Sequence, residues 1–246
     1  MEAPEPYLYA PPEKSWLDKL QAVIEILILS GLVSGFLASL PFSLRDHGHR
    51  SLMMMDARLV AASLLLEAGI ALCLLWLLLQ THRESLRDIG LHGEGWRGDL
   101  WLGLAIVPAF FAVNILVAQG FRTFLPQYYL DKNPLTEIIK TPADLGLFLL
   151  SALVAGGLKE ELQRAFIIVR FHQHLGGAKA GLVVWSLAFG AQHYVQGVQG
   201  IVAATLFGFI FGMLFLARRS VLAPIFAHAI YDVAALLTYW FSRSLH

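Results

Sequence analysis

Seven long apolar stretches, at 22–44, 59–80, 100–118, 145–170, 180–195, 197–217 and 221–241, constrain this chain more than any other feature. A bilayer core about 30 Å thick is crossed by about 20 mostly apolar helical residues. Inside it, every backbone N–H and C=O must pair within its own segment, which a helix achieves. The stretches therefore predict an all-α, polytopic transmembrane helix bundle of about 7–8 helices. The fifth is short and runs on into the sixth across 180–217, with only the Gln196-Gly197 region suggesting a break, so the count turns on that one position.

Composition points the same way. The chain is 57% hydrophobic and 15% charged, against about 25% charged in an ordinary soluble domain. Eighteen basic residues balance eighteen acidic ones, so no basic excess favours nucleic acid as a partner. The lone cysteine, Cys73, excludes an internal disulfide and a cysteine-based zinc cage. Residues 1–20 lack the cationic start and apolar run of a cleaved leader, so the first apolar stretch is expected to stay as a span.

No internal repeat or low-complexity segment interrupts the chain, and 1–246 reads as a single transmembrane domain. The longest connection, 119–143, carries Pro126, Pro134, Pro142 and the run Gln127-Tyr128-Tyr129, and is expected at the membrane interface. A second polar link spans 81–99. With seven crossings, nine Lys and Arg residues fall on the N-terminal side against seven on the other, which places the N-terminus in the cytoplasm by the positive-inside rule.

Ionisable groups inside spanning helices are costly and mark function. Here they are Glu25, Glu67, the cluster Lys159-Glu160-Glu161-Arg164, His193, and the pair His228 and Asp232. Adjacent carboxylates on a helix diverge by about 100°, so one of Glu160 and Glu161 should point inward while the other pairs elsewhere. Glu160 and Arg164 stand four residues apart, a spacing that permits a salt bridge. His228 and Asp232 have the same spacing, which lets the carboxylate fix the imidazole tautomer. Each feature alone fits a structural polar bridge.

Together, two histidines and one or two carboxylates on three successive membrane helices supply the parts for activating a water molecule. One group takes its proton, and imidazoles orient it, stabilise an oxyanion or bind a metal. No HExxH and no GxSxG is present, which excludes the usual soluble zinc-protease arrangement and leaves no evident serine nucleophile. Gly31-x-x-x-Gly35 and Gly208-x-x-x-Gly212 permit close helix approach, expected as packing within the bundle.

These residues resemble the CAAX protease and bacteriocin-processing (CPBP, abortive-infection) family of intramembrane endopeptidases. Its three ordered motifs are EExxxR, FxxxH, and a histidine four residues before Asn or a similar residue. Phe189–His193 fits the second, and His228–Asp232 fits the third with Asp in place of Asn. The resemblance covers about 145–241, the expected catalytic core. The first motif is one residue short. Aligned on the glutamates, Ala165 takes the arginine position; aligned on Arg164, Lys159 and Glu160 take the two glutamate positions. The glutamate register keeps a base at the first position, with Arg164 as a structural partner.

The resemblance implies hydrolysis of a peptide bond in a membrane-associated protein or peptide, CAAX-like and prenylated in eukaryotic members. It implies residence in the bilayer as a multi-pass protein, in the cytoplasmic membrane of a bacterium. Glu160 would activate water with His193, Glu161 and Phe189 would support the site, and His228 with Asp232 would stabilise the oxyanion or bind a metal. The family's two labels, metalloprotease and metal-independent glutamate protease, leave open a divalent metal such as zinc, with Glu160, His193 and His228 as its ligands. Two other classes use the same residues: a catalytically inactive bacteriocin-immunity or binding protein on this scaffold, and a proton-coupled transporter with Glu67 as an extra relay member.

Overall fold

Caps and kinks decide where the apolar runs become helices. The computed structural model describes residues 15–43 and 56–243. The first fourteen residues, which carry most of the leader argument, and the 44–55 connection, with Arg45 and Arg50 of the charge balance, lie outside the described residues.

Ser15 and Asp18 form a reciprocal capping box that starts α1 (Trp16–Leu27). A wide π-helical turn over Ile28–Leu32, with Gly31 at φ 95°, kinks it into α2 (Val33–Ser43). Asp56 caps α3 (Ala57–Thr81). α4 (Trp96–Phe124) runs past the apolar stretch at both ends, and α5 (Pro134–Glu137) is a single turn capped by Asn133.

Thr141 and Asp144 make another capping box, with Pro142 in the first turn, and begin α6 (Pro142–Ser151). The chain continues as π-helical turns over Ala152–Glu160 and then α7 (Glu161–His174), α8 (Ala178–Gln192), α9 (Gly197–Arg218) and α10 (Leu222–Ser242).

Every expected span corresponds to a helix, and no strand occurs among the described residues. Five helices are long and apolar enough to cross a bilayer: Trp16–Pro41, Ala57–Thr81, Trp96–Phe124, Tyr194–Arg218 and Leu222–Ser242. The molecule is an all-α polytopic bundle. The expected break at Gln196-Gly197 is present, with Gly197 at φ 71°, a left-handed value that favours glycine. Around it the 125–133 link folds back, the Leu130 N–H donating to Gln199 Oε1 at 3.1 Å.

The helix that carries the first motif is central. Each residue of α7 from Glu161 to Arg170 is buried, including Phe166, Ile167 and Ile168, and α1, α3, α8 and α9 surround it. A helix buried on all faces must satisfy its polar groups internally. The Gly208 pattern packs as expected, with Gly208 against Phe189 and Arg164 and Gly212 against Leu182. In the other pattern, Gly31 is both the kink and a close approach, a Cβ there standing 3.0 Å from Gln192 Oε1, whereas nothing lies within 4 Å of a Cβ at Gly35.

Candidate active site

The π-helical segment widens the helix just before the two glutamates. Glu161 enters the protein interior, 1% exposed, and Glu160 stays partly open with 22% of its side chain accessible. Adjacent carboxylates thus diverge as the helical rotation predicts. Arg164 binds Glu161, not Glu160: Nε donates to one carboxylate oxygen at 2.9 Å and Nη2 to the other at 3.2 Å. This corrects the i,i+4 pairing. Positions three and four apart both meet on one helix face, and the inward carboxylate is three residues from the arginine. The guanidinium also donates to the Gly208 carbonyl at 3.2 Å and lies over the Phe189 ring at 4.4 Å.

From α10, His228 joins this buried pair. Its Nδ1 lies 2.8 Å from Glu161 Oε1, and since an ionised carboxylate only accepts, Nδ1 donates. Its Nε2 faces Asp232 Oδ2 at 3.5 Å and Glu160 Oε2 at 3.8 Å. The i,i+4 spacing of His228 and Asp232 brings them together as the sequence suggested. Phe211 stacks on the ring at 4.5 Å between centroids and 17° between planes, which fixes its orientation.

His193 departs from its expected setting. It caps the C-terminus of α8 at φ −87° and ψ 19°, outside the helix proper. Its Nδ1 donates to the Phe189 carbonyl at 2.8 Å, so in the neutral ring Nε2 carries the lone pair. The side chain it approaches is Phe189, 4.6 Å between ring centroids. Phe189 also lies edge-on to His228 at 6.3 Å and so stands between the two histidines. The imidazole the structure brings to Glu160 is His228. Among the described residues no group of three His, Cys, Asp or Glu side chains stands in a metal-binding arrangement.

Three features of the site were not singled out in the sequence. Phe211 is one. Gly156 is the second: a Cβ there would stand 2.6 Å from Asp232 Oδ2 and 3.6 Å from His228 Nε2, so the carboxylate rests where only glycine leaves room. The Gly156-Gly157 pair inside a membrane helix was the available signal. The third is the pairing of Lys159, whose Nζ meets Glu67 Oε2 at 2.7 Å.

The remaining intramembrane acid, Glu25, accepts from Arg170 Nε at 2.7 Å and lies 2.5 Å from His82 Nε2. With Glu84 on the same guanidinium, this network ties α1 to α7 away from the site.

Residues 141–234 match the family model described as Type II CAAX prenyl endopeptidase Rce1-like, in agreement with the CPBP resemblance. No curated protein and no solved structure matches the chain.

Proposed function

We propose that this chain, with its Rce1-like domain over residues 141–234, hydrolyses a peptide bond in a membrane-associated protein, with Glu160 as the general base. One observation carries the reading: both nitrogens of a buried imidazole are committed, Nδ1 of His228 to Glu161 and Nε2 toward Glu160 and Asp232. Such an array orients a proton-transfer group without needing solvent.

Glu160 removes a proton from a water molecule, and the hydroxide adds to the scissile carbonyl. His228 enters the cycle as the imidazolium, already protonated from solvent before substrate binds; it donates a hydrogen bond from Nε2 to the oxyanion and keeps its proton throughout, while Glu161, held by Arg164, fixes the ring. Collapse of the tetrahedral species breaks the C–N bond, and Glu160 returns its proton to the departing amine. Atoms and charge balance with no step routed through a metal.

A substrate of CAAX type, prenylated near its C-terminus, fits the family match. The test is cleavage of a membrane-tethered CAAX reporter by the purified chain. Glu160→Gln is expected to lower turnover by at least about 100-fold while the protein stays folded. Cleavage that survives this substitution refutes the assignment. Chelation and metal analysis of the same active sample decide whether an ion takes part.

A further inference from the structure

The matched segment begins at 141, yet the helix that carries Glu160 is anchored on helices that precede it. Lys159 is buried at 7% exposure and bonds Glu67 of α3 at 2.7 Å. Ser34 of α2, itself 0% exposed, donates to the other oxygen of Glu67 at 2.6 Å. Four residues after Lys159, on the same face, Gln163 donates to the Leu29 carbonyl within the π-helical kink between α1 and α2. A straight helix would use that carbonyl internally; the kink at Gly31 accompanies its use as an acceptor.

The motif helix is thus pinned at two points on one face to α1, α2 and α3. The neighbouring face presents Glu160 to His228. The π-helical run over 152–160 is long for a rare geometry that mostly occurs as single-turn bulges within α-helices, frequently at functional sites. A buried ion pair contributes little net stability but does specify an arrangement in well-documented cases.

We propose that Glu67 is a positioning residue of the active site: by holding Lys159 against α3, it fixes the turn in which the next residue, Glu160, faces His228 and Asp232. This rests on the hydrolase reading and extends the working site to helices outside the matched segment. It also assigns a use to Lys159, the cation directly before the two glutamates of the first motif.

Removing one partner alone leaves a buried charge and can unfold the chain, so the variant to test is E67M/K159M, which replaces the pair with apolar side chains of similar length. In the full-length protein in detergent or nanodiscs, its melting temperature is expected to stay near wild type. Its kcat on the tethered reporter should fall about 10- to 100-fold with KM unchanged. The swapped pair E67K/K159E should recover part of that loss. A folded E67M/K159M with wild-type kcat overturns the positioning role while leaving Glu160→Gln free to support the hydrolase reading. A second measurement does not need activity: the ring ¹⁵N resonances of His228 in histidine-labelled protein should move in E67M/K159M and return toward wild type in the swap. Unmoved resonances in the folded variant refute the proposal even if no reporter is cleaved.

Discussion

A single methyl group at position 156 tests the site geometry. The Cβ of Gly156→Ala would stand 2.6 Å from Asp232 Oδ2, where ordinary contact begins at 3.4 Å. The Asp232 carboxylate must therefore retreat by about 0.8 Å, and His228, 3.5 Å from it through Nε2, loses its neighbour on that side. A displacement of that size in catalytic groups costs about 100-fold in rate. Stability should move much less. Crowding a packed site costs about 1–3 kcal/mol, and replacing a helical glycine by alanine returns about 1 kcal/mol. The assay is kcat and KM on the tethered reporter, beside a thermal melt. Two controls bracket it. Gly146 has nothing within 4 Å of an added Cβ, so Gly146→Ala should melt no lower than wild type and cleave normally. Gly157→Ala meets the Cβ of Ala229 at 2.7 Å and its Cα at 3.3 Å, which forces α10 outward and should cost stability first. If Gly156→Ala keeps wild-type kcat, the contact of Asp232 with His228 plays no part in turnover and the positioning argued from it is refuted.

Glu161→Gln leaves the Arg164 cation buried without its counter-ion, and a loss of about 3–5 kcal/mol is expected, read as low yield or an early melt. The double variant E161Q/R164M should recover the fold but not cleavage, because His228 Nδ1 still lacks its carboxylate. At the start of α6, Asp144 accepts from the Thr141 backbone N–H at 2.8 Å and that of Lys140 at 3.1 Å, which holds its carboxyl below the ordinary 3.8 despite opposing burial. A depressed folded value means that this stability is fully present above the ordinary value and is lost as pH falls through the folded one. Asp144→Ala should therefore melt earlier at neutral pH, with a loss of about 1 kcal/mol for its backbone hydrogen bonds, and the gap to wild type should close in strong acid. A gap that persists there would disprove the linkage.

The parts of this molecule that were legible in the sequence are those governed by one-dimensional rules. Apolar run length located the helices, and Gly197 broke α8 from α9 where the pattern faltered, because crossing a bilayer and adopting a positive φ are demands on particular segments. His228 and Asp232 met because four residues is nearly one helical turn. What stayed hidden depends on which face of a helix turns inward, and that is set by neighbours distant in sequence. Arg164 could have served either glutamate by spacing alone; burial of Glu161 beside His228, 67 residues away, decided it. No spacing rule pairs Glu67 with Lys159, 92 residues on, yet the two are bonded. The shortened first motif is spanned by the contact of Arg164 with Glu161. A buried cation beside the proposed base would suppress its proton uptake if unpaired, but α3 supplies the opposing charge, and an arginine three rather than four residues past Glu161 still reaches that carboxylate. The departure that made the motif look damaged in one dimension is compensated in three, and so the irregular first motif is compatible with a working base at Glu160.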